Sequence, residues 1–210
     1  RCSMKGKSAL YRYWLHGLVV ESGFPLPELV AYRDGLALAD TDPIRVELGS
    51  VPATIDGAQQ SKEGYWIRNN QALAHLPNLA SFHIIDGRKI TVHPQPTVKQ
   101  AWLRLFLFAG AIGCALHQRG LFPLHAAAIA SESGCVAFCG NAGDGKSTLA
   151  ASFQTAGFSL FSDDRLTIHA TAEHPYLAAP SIPALHLYEQ SGKMAGLSED
   201  HLAVDSYRFG

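Results

Sequence analysis

Charge of either sign is sparse in this chain, and neither sign dominates. Seventeen Lys and Arg against eighteen Asp and Glu leave a net charge of −1 over 210 residues, of which 17% are charged. Binding nucleic acid by charge alone needs a basic surplus, so that function class is excluded. Cysteine is also scarce. Cys2, Cys114, Cys135 and Cys139 are the only four, too few for a disulfide-stapled scaffold and at no zinc-ligand spacing. In the run Cys-Val-Ala-Phe-Cys, Cys135 and Cys139 would share one face of a strand, roughly 13 Å apart, which is too far for a disulfide. They read as buried thiols of a cytoplasmic protein. Long hydrophobic stretches are missing too. The longest, residues 105–116, has twelve residues, against about twenty for a bilayer span. No membrane is expected as a partner, and no secretory leader is legible. Arg1-Cys2-Ser3, ahead of Met4, is set aside.

What is present is the composition of a globular protein, 47% apolar and 10% aromatic, with enough chain for one domain and a smaller companion. Up to residue 96, short apolar runs alternate with turn signals. The runs include Leu18-Val19-Val20, Leu36-Ala37-Leu38, Ile44-Arg45-Val46-Glu47-Leu48, Tyr65-Trp66-Ile67-Arg68 and Phe82-His83-Ile84-Ile85. Arg33-Asp34-Gly35, Ile55-Asp56-Gly57 and Asp86-Gly87-Arg88 punctuate them, and the last, before Lys89-Ile90-Thr91-Val92, predicts a hairpin. Residues 1–96 therefore form a strand-rich region, which packs or recognises a substrate. From residue 97 the period becomes helical: Trp102, Leu105, Phe106, Ala109, Ile112 and Leu116 recur at three or four. The spacing predicts a core helix capped at Thr97 and stopped at Gly120. That helix opens the second region, residues 97–210, and joins it to the first.

The chemistry concentrates further on. Residues 124–130 and 135–139 read as strands, with Ser131-Glu132-Ser133-Gly134 as the turn between them. Next comes Gly140-Asn141-Ala142-Gly143-Asp144-Gly145-Lys146-Ser147-Thr148, a full match to the phosphate-binding loop G-x-x-x-x-G-K-[ST]. Glycines let successive backbone N–H groups turn inward around a phosphate, and a following helix adds the positive end of its dipole. Lys146 suits the β- and γ-phosphates of ATP, and the Ser147 hydroxyl suits Mg²⁺. A helix over 149–156, a stop at Gly157 and a strand over 158–161 follow. Asp163 and Asp164 close that strand. Two adjacent carboxylates beside a phosphate loop divide naturally into a metal ligand and a base for an attacking hydroxyl. His125 stands fifteen residues before Gly140, at the start of the strand expected beside the loop strand. It reads either as a core residue or as a donor toward the phosphates.

Together His125, the loop, Ala156-Gly157 and Asp163-Asp164 resemble, in order and spacing, the catalytic domain of the HPr kinase/phosphorylase family, over roughly residues 120–170. The resemblance implies an α/β or α+β fold. Its phosphate-loop core would carry an HPr-kinase-like sheet behind a smaller strand-rich N-terminal region. It further implies that His125, Lys146, Asp163 and Asp164 are catalytic, with residues 140–148 holding ATP. Ser147 and Asp164 would hold Mg²⁺, and one carboxylate would be the base. The N-terminal region is unlike that of the HPr enzymes, and their glycine- and arginine-rich signature after the Asp pair is missing. Pro180-Ser181-Ile182-Pro183-Ala184-Leu185-His186-Leu187-Tyr188-Glu189-Gln190 and Arg119-Gly120-Leu121-Phe122-Pro123-Leu124-His125 are more similar to short homologues among lasso-peptide tailoring kinases. That similarity implies ATP-dependent phosphorylation of a Ser in a ribosomally made precursor peptide by a cytoplasmic, homo-oligomeric enzyme. HPr itself, a small hydroxylated molecule, or a nucleotide-binding sensor without catalysis are the alternatives. Lys193, His201 and Arg208 read as solvated side chains. The tail ending at Arg208-Phe209-Gly210 shows no finishing element, which leaves a further piece of the fold to come from more distal chain or a neighbouring subunit.

Overall fold

A computed structural model describes residues 10–31, 42–61, 64–170 and 176–181. Cys2, Met4, the runs Arg33-Asp34-Gly35 and Leu36-Ala37-Leu38, residues 182–190 and Lys193, His201 and Arg208 lie outside the described residues. The fold is mixed, mostly sheet with few helices; the described residues form three sheets. Contacts divide the chain into two compact units, Arg1–Trp14 with Leu18–Leu121, and Leu15–Gly17 with Phe122–Gly210.

The first unit carries a nine-stranded sheet: β1 (Tyr11–Leu15), β2 (Leu18–Ser22), β3 (Val30–Ala31), β4 (Ile44–Leu48), β5 (Gln59–Ser61), β6 (Tyr65–Arg68), β7 (Gln71–Leu76), β8 (Ala80–Ile85) and β9 (Lys89–Pro94). Its order is β3-β1-β2-β4-β9-β8-β7-β6-β5. Alternation decides the buried face: Ala80, Phe82 and Ile84 on β8 are buried with Ile90 and Val92 on β9. The expected hairpin closes at Ile85–Arg88, where Asp86 and Gly87 both take positive φ (53° and 62°) and Arg88 N–H donates to Ile85 O at 2.9 Å. Two such residues match the right-handed twist of the strands they join.

The helical period over 97–119 is realised as a helix over Gln100–Gln118, made of α1 (Gln100–Phe106), a π-helical stretch (Leu107–Ile112) and α2 (Gly113–Gln118). Lys99 rather than Thr97 occupies the N-cap, without a side-chain cap. The stop at Gly120 is realised: at φ 72° its N–H donates to His117 O, while Leu121 N–H reaches back to Leu116 O, the paired bonds of a left-handed helix stop. Leu103, Leu107, Ala111, Ile112, Ala115 and Leu116 are buried, and the helix packs on β8. It therefore belongs to the first unit, and the contact boundary falls at Leu121/Phe122 instead of at 96/97. The twelve-residue apolar run also understates this element. Extended by its helical flanks, it is long and apolar enough to cross a membrane by length and composition, with 39% of the window buried in the fold.

The second unit holds β10 (Phe122–Leu124), β11 (Ala126–Ser131), β12 (Gly134–Cys139), α3 (Lys146–Thr155), β13 (Ser159–Ser162), β14 (Leu166–His169) and β15 (Leu177–Pro180). They form two antiparallel sheets, β12-β11-β13 and β10-β14-β15. Since β12 and β13 both oppose β11, they run parallel to each other with β11 between. Ala127, Ile129 and Ala150 form a buried cluster with Phe138, Phe153 and Leu160 on the α3 side, and Ala126, Ala128 and Leu166 form another with Leu124 and Phe161. The two cysteines of β12 are not the buried thiols expected. Cys114 is intermediate and Cys135 and Cys139 are exposed, all three unbridged; the last two lie on β12, an edge strand exposed everywhere but at Phe138.

Candidate functional site

Topology brings the predicted residues to one end of the three-stranded sheet β12-β11-β13. The phosphate loop leaves β12 after Cys139, and Asp163 follows the last residue of β13. Parallel strands end on the same side. Register completes the set: Ala126 faces Cys139 and Ala128 faces Ser162, so His125, one residue before β11, sits at that same end. The second sheet reinforces this. Leu124 faces Leu166, so the chain passes between the sheets twice in neighbouring places, once through His125 and once through Asp163-Asp164-Arg165.

The loop has the shape its glycines allow. Gly143 and Gly145 take φ of 90° and 83°, and Gly145 is the N-cap of α3. That helix starts at Lys146, three residues earlier than the apolar pattern indicates, because Leu149 N–H already donates to Gly145 O at 2.8 Å. It ends as expected: Gly157, at φ 97°, donates to Gln154 O, Phe158 N–H donates to Phe153 O, and the Phe153 and Phe158 rings meet edge to face at 5.4 Å. Within the loop Asp144 Oδ2 accepts Asn141 N–H at 2.6 Å. Lys146 Nζ donates to Gly140 O at 3.0 Å and to Asn141 O at 2.8 Å, so its ammonium lies over the loop it is expected to serve.

The two carboxylates differ. Asp163 is 3% exposed and accepts a hydrogen bond from Ser147 Oγ at 2.8 Å. Asp164 is half exposed, takes a left-handed φ of 69°, and sets its Oδ1 3.2 Å from His125 Nδ1 and its Oδ2 3.6 Å from Arg165 Nε. His125 Nδ1 also lies 3.0 Å from Asp164 O. Ser147 and Asp164 are the expected pair for a metal ion; the carboxylate hydrogen-bonded to Ser147 is Asp163. The left-handed turn sends adjacent side chains to opposite sides, one inward to the loop and one outward to His125.

One hydroxyl and one carboxylate at 2.8 Å are hard oxygen donors of the kind Mg²⁺ takes when a nucleotide's phosphates and water complete its shell. Among the described residues no three His, Cys, Asp or Glu converge as a cage, and an ion held partly by phosphates needs none. A cleft of about 520 Å³ in the first unit, lined by Asp56, Arg68, Asn69 and Gln71 among others, contains none of the predicted site residues.

Residues without a spacing signal complete the surroundings. Ser162, fully buried, donates from Oγ to Arg165 O at 2.5 Å and accepts Ser181 N–H at 3.1 Å; Ser181 Oγ donates to Asp163 O at 3.1 Å. His16, which groups with this unit, is 3% exposed at φ 54°. Its Nδ1 lies 2.8 Å from Thr167 Oγ1, and its carbonyl lies 2.8 Å from His169 Nε2. Burial first, then Arg165 and His169, push its pKa down to about 3. Single serines and a lone histidine 150 residues upstream carry no linear pattern. Compared with known proteins, the chain matches no family model, no curated protein and no solved structure.

Proposed function

We propose that the second unit is an ATP-dependent serine kinase of HPr-kinase-like architecture. It would transfer the γ-phosphoryl group of Mg·ATP to a Ser hydroxyl of a peptide or protein. The observation that carries this reading is the Ser147–Asp163 hydrogen bond of 2.8 Å, which joins the phosphate loop to a buried carboxylate and leaves Asp164 exposed beside His125. Loop amides and Lys146 bind and orient the phosphates. Ser147 and Asp163 would hold Mg²⁺, which neutralises charge spreading over the phosphates. Asp164, the accessible carboxylate, accepts the acceptor's hydroxyl proton as the Ser oxygen bonds to the γ-phosphorus and the bond to the β-phosphate oxygen breaks, releasing ADP. His125 holds Asp164 toward that proton. By resemblance the acceptor is a ribosomally made precursor peptide, recognised with the help of the strand-rich first unit, in the cytoplasm where ATP is abundant.

The test is transfer from γ-labelled ATP with Mg²⁺ to a precursor peptide ending in Ser and to an HPr protein, with Lys146→Ala as the blank. Label on the peptide alone is the expected result. Label on HPr alone would make this a divergent carbon-regulation kinase. No label on either, with ATP still bound, would overturn protein phosphorylation and leave a small-molecule kinase or a sensor. Asp164→Asn is expected to keep nucleotide affinity and to lose transfer by about 10²-fold or more.

A further inference from the structure

Asp163 and Asp164 are neighbours in sequence, yet they serve opposite directions. Something must hold the backbone between them in the left-handed conformation, which residues with a side chain rarely adopt. Specific hydrogen bonds cross this bend. Arg165 N–H donates to Asp163 O at 2.9 Å, closing the bend from within. Ser162 Oγ ties the far side by donating to Arg165 O. Ser181, just beyond β15, ties the near side by donating from Oγ to Asp163 O, and its own N–H donates to Ser162 Oγ. The two serine oxygens lie 3.2 Å apart. Two hydroxyls from the ends of two strands in different sheets thus hold both carbonyls that flank Asp164.

We infer that Ser162 and Ser181 form a clamp that positions the carboxylate pair, fixing Asp163 inward on Ser147 and Asp164 outward beside His125. This inference rests on the kinase reading for its catalytic consequence and on the hydrogen bonds alone for its geometry. Neither serine touches the reacting atoms, so both are positioning residues. Their loss leaves the phosphate loop intact and lets the carboxylates drift, which lowers turnover more than nucleotide binding.

Kinetics on the full chain test this. Ser181→Ala removes one hydroxyl at a half-buried position. It is expected to lower kcat about tenfold with the KM for ATP within about twofold, and Ser181→Thr, which keeps the hydroxyl, is expected to restore kcat. Ser162→Ala leaves the half-buried Ser181 N–H without its acceptor and is expected to cost more, about 10²-fold in kcat. Wild-type kcat in both alanine variants would overturn the clamp. So would a fall in ATP affinity parallel to a fall in melting temperature, the mark of a general packing role. Should the wild type bind nucleotide yet phosphorylate no acceptor, the kinase reading fails and the clamp is judged on magnesium. The gain in ADP affinity on adding Mg²⁺ then shrinks in Ser181→Ala and returns in Ser181→Thr, and an unchanged gain would sink the inference.

Discussion

At the scale of single residues, His16 shows how a buried imidazole can be both held and exploited. Its ring is out of water, its Nδ1 is committed to Thr167, and Arg165 and His169 add like charge. Burial first, then Arg165 and His169, favour the neutral ring, so the pKa drops from 6.5 to about 3. The unfolded chain therefore takes up a proton near pH 6.5 that the folded one refuses until about pH 3, and stability falls as pH falls through that window. The slope approaches about 1.4 kcal/mol per pH unit below the unfolded pKa. His16→Asn keeps a residue tolerant of positive φ and removes the titration. Urea unfolding at pH 7, 6 and 5 is expected to show wild type and variant converging as the solution is acidified, and a constant gap between them would refute the assignment.

At the scale of elements, glycines at positive φ are not equivalent, because their surroundings differ. Gly145 caps α3 at φ 83° with nothing within 4 Å of where a Cβ would stand. Gly145→Ala therefore carries the conformational cost alone, about 1–2 kcal/mol. Gly87 sits in the β8–β9 turn at φ 62°, where a Cβ would come 2.6 Å from both Ala115 O and Arg119 Cγ. Its N–H donates to Gln118 Oε1, and its carbonyl accepts from Arg119 Nε. The turn is gripped by the end of the helix, and Ala115 O is backbone that cannot swing away. Gly87→Ala is expected to cost clearly more than Gly145→Ala in chemical denaturation, by about 1–3 kcal/mol. Equal costs would mean that the turn is free to move. Asp-Gly was legible in the sequence as a turn because two residues suffice to set it. The helix end that grips it was not, since Gln118 and Arg119 lie some thirty positions away.

At the scale of the whole molecule, what could be read beforehand was linear and what could not was spatial. The phosphate loop, the Asp pair and His125 are contiguous motifs, and the strand–loop–helix–strand order around them follows from local chemistry. Which carboxylate meets Ser147 depends on one residue's backbone conformation, and adjacent identical residues give a sequence no means to choose. The exposure of Cys135 and Cys139 depends on strand order, because the same apolar run would be buried in a central strand. The grouping of the 100–118 helix depends on which sheet receives its apolar stripe. The site so assembled has a consequence for the full chain: a ligand that binds only the folded form raises its stability by mass action. On the proposed kinase reading, Mg·ATP at a hundred times its Kd would be worth about 2.7 kcal/mol, about 5 °C or more in melting temperature for a chain of this size. Lys146→Ala is expected to abolish the rise, because it removes the cation proposed to meet the phosphates. Asp163→Asn is expected to keep the part due to nucleotide and lose the part added by magnesium, since the amide still accepts from Ser147 but carries no charge for the ion. A melting temperature that ignores Mg·ATP in the wild type would refute the nucleotide site itself. A magnesium increment that survives in Asp163→Asn would return the metal to Asp164.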